Sequence, residues 1–167
     1  MLGRWRNLAR REDGFTLVEL MVVVAILAVI ILMALTTFVG VKTRAQDSAA
    51  KQTATKSLTT ARIVFTDGAT YATVDPTTLR DAEQSVDFVD AAVPSDEARK
   101  ASVDVPDRTT TANTFIAAVW SDSGDCFFIR DWITIGIGYA VLRDAAPADC
   151  TASNVASLVF GTRWPTS

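Results

Sequence analysis

Gly14-Phe15-Thr16-Leu17-Val18-Glu19-Leu20-Met21 is the stretch that decides this chain. Before it lies a leader containing Arg4, Arg6, Arg10 and Arg11. After it, Leu20 to Val41 is 22 residues without a charge. At about 1.5 Å per residue that run spans ~33 Å as a helix, enough to cross a bilayer. The arginines predict a cytoplasmic N-terminus, with the remainder of the chain outside. The apolar core of a secretory signal is roughly 7–15 residues and ends at a small-x-small site. Here the run is longer, and Lys42-Thr43-Arg44 closes it. Glu19 is a lone carboxylate at the mouth of the apolar run. A charge in hydrocarbon costs roughly 2.5–3.5 kcal/mol, which marks Glu19 as a functional residue and leaves a plain anchor unsatisfying.

Outside that stretch the charge is unevenly spread. The net charge is −3 over 167 residues, but from Lys42 onward 12 Lys/Arg face 16 Asp/Glu. An acidic exterior argues against nucleic acid as the partner of the bulk surface. The chain has no histidine, so the commonest general base and metal ligand is missing. Cys126 and Cys150 lie well beyond the apolar run. If that run places them outside the cytoplasm, a disulfide follows; the alternative is two reduced, buried thiols. Closing a 24-residue separation would stabilise the fold by roughly 3–3.5 kcal/mol.

Helix signals continue past the apolar run. No Pro or Gly occurs from Lys42 to Phe65. Ala45, Ala49, Ala54, Leu58, Ala61 and Phe65 recur on one helical face, while Lys42, Arg44, Asp47, Lys51, Lys56 and many Thr occupy the other. Asp67-Gly68 supplies a stop. Phe15 to Thr66 thus reads as one helix, with local loosening open around Thr36, Thr37 and Gly40, where helix propensity is low. Asp75-Pro76 reads as an N-cap and first helical position. Leu79, Ala82, Val86 and Val89 then predict a short amphipathic helix to about Asp90. Pro94 to Ala112, with Thr109-Thr110-Thr111, reads as an exposed loop carrying an edge strand at Ser102–Val105.

The tail turns to strand patterns. Thr114–Trp120 and Cys126–Trp132 read as two strands joined by the turn Ser121-Asp122-Ser123-Gly124-Asp125. Ile133–Leu142 reads as a third, bent at Gly136 and Gly138, and Ala156–Phe160 as a last one. The expectation is α+β: a long N-terminal helix, apolar then amphipathic, on a small C-terminal antiparallel sheet.

The order of basic leader, Gly14, Phe15-Thr16-Leu17-Val18-Glu19 and apolar helix resembles the type IV pilin family, with its class III signal peptide and prepilin-type N-terminal methylation motif. The resemblance implies cleavage between Gly14 and Phe15 by a prepilin peptidase, and N-methylation of Phe15. A glycine at the cut obstructs least and tolerates unusual backbone angles. It implies that Glu19 pairs with the Phe15 amine of a neighbouring subunit during assembly. The plainer roles for Glu19 are to reach the membrane surface or to bond Thr16 locally. Many family members carry a proline near the position of Thr36, and this chain does not.

The organisation so implied is a cleaved leader at 1–14, an apolar transmembrane and filament-core helix at 15–41, and an amphipathic helix at 42–68. A connecting region with a short helix follows at 69–112, then an antiparallel sheet with a Cys126–Cys150 loop at 113–167. The implied function is that of a structural subunit, a major pilin, of an extracellular type IV pilus. The alternative is a minor pilin or pseudopilin of a type II secretion or DNA-uptake machine. The implied partners are other copies of the chain in a helical filament, the prepilin peptidase and the inner-membrane assembly platform. The precursor would be a single-pass protein of the cytoplasmic membrane before extraction. Adhesion, motility and DNA capture stay open as end uses.

A catalytic or metal site finds little support in these residues. Asp122, Asp125 and Asp131 invite a calcium reading, but turn chemistry accounts for Asp122-Ser123-Gly124-Asp125 with too few ligands left over. Ser and Asp without His form no standard nucleophile–base pair. No cofactor is expected. Trp120, Trp132 and Trp164 read as core or interface aromatics. A membrane enzyme with an uncleaved anchor is the competing reading from another class.

Overall fold

The computed structural model describes residues 14–108 and 112–165. The expectations for the leader before Gly14 and for Thr109-Thr110-Thr111 lie outside the described residues. The chain divides into two compact units, Met1–Gly40 and Val41–Ser167. The elements run α1 (Leu17–Gly68), α2 (Pro76–Ala82), β1 (Asp87–Asp90), β2 (Lys100–Asp104), β3 (Thr114–Trp120), β4 (Cys126–Trp132) and β5 (Gly136–Leu142), then a short 3-10 turn at Pro147–Asp149. The architecture is α+β: a long N-terminal helix followed by a five-stranded sheet.

In the first unit, the apolar residues of α1 from Leu17 to Val39 whose side chains are described stand exposed. None of the most apolar 18-residue window of α1 is buried, and the helix is long and apolar enough to cross a membrane. α1 passes through residues 36–40 without a break.

In the second unit, the sheet order is β1-β2-β3-β4-β5. The pairings from β2 to β5 are antiparallel, whereas β1 pairs parallel to β2. The sheet is therefore mixed, and it draws on residues before 113. Period-two alternation sorts its side chains onto two faces. Phe115, Ala117, Val119, Phe127 and Ile129 pack with Ala50, Ala54, Leu58 and Ala61 of α1. Ile116, Ala118, Cys126, Phe128 and Ala140 face the opposite way, where Cys150, Ala152, Leu158 and Phe160 cover them. Strands β3 and β4 read as nearly unbroken apolar runs because both their faces are covered.

Several elements differ from the sequence expectation. Ala45 and Ala49 are exposed, while Asp47, Ala50, Ser57 and Thr60 are buried. The buried face is set by where the sheet meets the helix, and small polar residues at that face let the backbones approach. Ser57 and Thr60 also donate to the carbonyls of Thr53 and Lys56, so their burial leaves no polar group unpaired. Helix α2 ends at Ala82 and does not reach Asp90. Val86 and Phe88 are buried at alternate positions, and the segment extends into β1. The edge strand expected at Ser102–Val105 is β2, Lys100–Asp104, and it lies between β1 and β3 because β1 adds a strand outside it. The third strand begins at Gly136, whose φ of 103° turns the chain after Ile133–Ile135. Residues 156–160 form no strand; the tail makes one isolated bridge to β5, Tyr139 with Gly161.

Helix α1 runs from Leu17 to Gly68, starting and stopping two residues later than the Phe15–Thr66 expected. Gly68 is still helical, and the left-handed turn falls on Ala69, at φ 52°, whose N–H bonds the Phe65 carbonyl at 2.7 Å. The start of α2 is tied as expected. The Asp75 carboxylate accepts from the N–H groups of Thr77 and Thr78, and Thr78 Oγ1 accepts from the Asp75 N–H. The Thr78 bond comes first among the causes that hold the Asp75 carboxyl below its usual range, against the opposing effect of burial.

Candidate processing and assembly site

Thr16 is the residue before α1, and its carbonyl accepts the first helical bond, from the Leu20 N–H at 3.2 Å. Its hydroxyl accepts from the Glu19 N–H at 3.2 Å. The Glu19 carboxylate in turn accepts from the Thr16 N–H at 3.2 Å and from the Thr16 hydroxyl at 3.1 Å. This is a reciprocal capping box, which satisfies two N–H groups that a helix start otherwise leaves open. The negative charge also sits at the positive end of the helix. In the single chain, then, Glu19 has a local partner of modest strength. Its bonds within the chain go to Thr16, and pairing with the Phe15 amine of a neighbour is a matter for an assembled, cleaved subunit.

Gly14 and Phe15 precede this cap. Phe15 is 83 % exposed, and a Cβ added to Gly14 would meet nothing within 4 Å. The Gly14–Phe15 peptide bond is thus approachable on an irregular segment beside a capped helix. While that bond is intact, the Phe15 nitrogen is an amide and carries no charge. Cutting it would create an ammonium one residue before Thr16. The apolar groove lined by Leu20, Met21, Val24, Ala25 and Ala28 begins one residue after Glu19.

The acidic residues considered for a metal are not brought together. The Asp125 carboxylate accepts from Arg143 at 3.1 Å and from the Asp144 N–H at 3.3 Å. Asp131 is buried elsewhere, where Arg62 donates to it through Nε at 2.8 Å and a second nitrogen at 3.0 Å, and Tyr71 donates at 2.5 Å. Burial opposes ionisation of Asp131, but the bonds from Arg62 and Tyr71 outweigh it and hold the carboxyl below the usual range. Burial, then the bond to Asp131, pushes the Tyr71 hydroxyl well above its usual value.

Sequence reasoning did not single out this clamp. Its signal was a carboxylate, Asp131, within the strand Cys126–Trp132 that otherwise reads as core. A second tie joins α1 to the β3–β4 turn: Asp47 accepts from the hydroxyls of Ser121 and Ser123. Cys126 and Cys150 are joined by a disulfide with Cα atoms 5.6 Å apart. It fastens the start of β4 to the segment covering the outer face of the sheet.

A capped apolar helix behind an accessible Gly–Phe bond suits a membrane-anchored precursor and is consistent with a type IV pilin-like class III signal peptide. The family model described as the prokaryotic N-terminal methylation motif matches residues 9–35. The match points to a structural protein rather than an enzyme. No curated protein and no solved structure matches the chain.

Proposed function

We propose that this chain is the structural subunit of an extracellular type IV pilus, polymerised through the apolar half of α1. The carrying observation is the Gly14–Glu19 constellation, set directly before a helical stretch whose described apolar side chains, from Leu17 to Val39, stand exposed. A prepilin peptidase would cut after Gly14 and methylate the Phe15 amine. Glu19 would then exchange or supplement its Thr16 bonds with the Phe15 ammonium of the next subunit. In a helical core that pairing neutralises two charges at once. A subunit docked out of register leaves an ion unpaired, at about 3–5 kcal/mol, so the pair enforces register.

Terminal sequencing and mass measurement of the protein from its native host test the processing step. The expected mature chain starts at N-methylated Phe15. Glu19→Ala is expected to leave cleavage largely intact and to abolish efficient filament formation. A mature chain that keeps residues 1–14, or normal filaments from Glu19→Ala, would overturn the proposal. The share of this chain in sheared surface filaments separates a principal subunit from a minor pilin or pseudopilin that primes a short filament.

A further inference from the structure

The two edges of the sheet differ in a way that calls for an explanation. Strand β1, at one edge, has four residues with Asp87 and Asp90 at its ends. A short, charged edge discourages pairing with another chain. Strand β5, at the other edge, has seven residues, Gly-Ile-Gly-Tyr-Ala-Val-Leu, with no charge and no proline. Left bare, such an edge is a template for strand addition and aggregation.

The C-terminal tail lies along that edge. Gly161 and Tyr139 exchange both backbone hydrogen bonds, at 2.8 and 2.9 Å. By the period of two, the N–H and C=O groups of Ile137 and Val141 face the same outer margin as those of Tyr139. Phe160 packs so closely on Gly138 that a Cβ there would stand 2.9 Å from the Phe160 Cβ. The Arg130 guanidinium lies over the Phe160 ring at 4.1 Å. Beyond Gly161 the tail turns onto the α1 side of the sheet. There Trp164 meets Tyr139 at 4.8 Å and Phe127 at 5.6 Å between ring centres, and Lys51 of α1 covers the same Phe127 ring. Residues 158–160 therefore grip one face of the sheet, Gly161 the margin and Trp164 the other face.

We propose that residues 158–165 are a strap that closes the β5 edge against pairing with the β5 edge of a second copy. One pair of backbone bonds is a weak closure by itself, so the aromatic contacts on the two faces hold it down. Gly138 is required because any side chain there would push Phe160 away. The strap makes the head a single-copy unit, whatever the apolar half of α1 does.

The test uses the full chain in detergent. Gly138→Ala is expected to raise hydrogen exchange at the Tyr139 and Gly161 amides about tenfold, while the Phe128 and Ala140 amides, within the β4–β5 ladder, keep their protection. Deleting residues 158–167 is expected to add a larger species in sedimentation, relative to the intact chain in the same detergent. Val141→Lys in the deleted chain is expected to remove that species by putting like charges on both edges. Unchanged exchange at Tyr139 in Gly138→Ala overturns the strap. An unchanged size distribution after deletion, or a larger species indifferent to Val141→Lys, overturns its guarding role.

Discussion

Residues 17–40 and 41–68 belong to one helix, yet they solve opposite problems. The first stretch is almost wholly apolar, and its described side chains are exposed. The second mixes charges and threonines with a narrow buried face of Ala50, Ala54, Leu58 and Ala61. Helical periodicity is meaningful only in the second, because only there does one side meet protein and the other water. A helix apolar all round needs lipid or other apolar helices about it.

Matched truncations in the two stretches give the widest contrast. Leu58, 4 % exposed, is expected to cost about 2–5 kcal/mol of head stability as Leu58→Ala. Leu27→Ala, at an exposed position, is expected to leave head unfolding in denaturant unchanged. Equal losses at the two sites would break the distinction. Reduction of the Cys126–Cys150 disulfide should lower head stability by roughly 3–3.5 kcal/mol without altering the helicity of residues 17–40. Circular dichroism and thermal unfolding with and without reductant measure both.

Acid provides a third probe, again confined to the head. The Asp131 carboxyl sits below its unfolded value, so it titrates in favour of the folded state. Its contribution is present above the ordinary Asp range near pH ~4 and is lost as pH falls through the lower folded value. Asp131→Asn is expected to cost about 1–3 kcal/mol at neutral pH and to flatten the acid limb of stability, read from denaturant midpoints across pH. An acid limb as steep as the parent's would place the titration elsewhere. The smallest effect is a gain. Ala69→Gly should relieve the left-handed turn at φ 52° and stabilise by about 0.5–1 kcal/mol in thermal unfolding.

Strands β3 and β4 were legible from apolar runs flanking Ser121–Asp125, because that turn carries its own chemistry. The length of α1 was legible because nothing between Leu17 and Phe65 interrupts it except Gly40. Strand β1 was not, since Leu79, Ala82, Val86 and Val89 fit a helical spacing as well as Val86 and Phe88 fit a strand. Pairing with β2, distant in sequence from α2, settled the ambiguity. The exposed Ala45 and Ala49 were misread because alanine has too little surface to declare a face. At the candidate processing site, Thr16 and Glu19 stand at the spacing of a capping box, and the local bonds follow from that spacing.

The order of leader, Gly14, Phe15, Glu19 and apolar run is a property of the sequence alone, because it depends on charge and hydropathy along one dimension. So does the α+β class, which follows from hydrophobic periods. Which side of the amphipathic half is buried, the parallel entry of β1, the Arg62–Asp131–Tyr71 clamp and the path of the tail over β5 were decided in three dimensions. Each depends on groups far apart in the chain meeting at contact distance, and no local pattern of residues encodes that meeting.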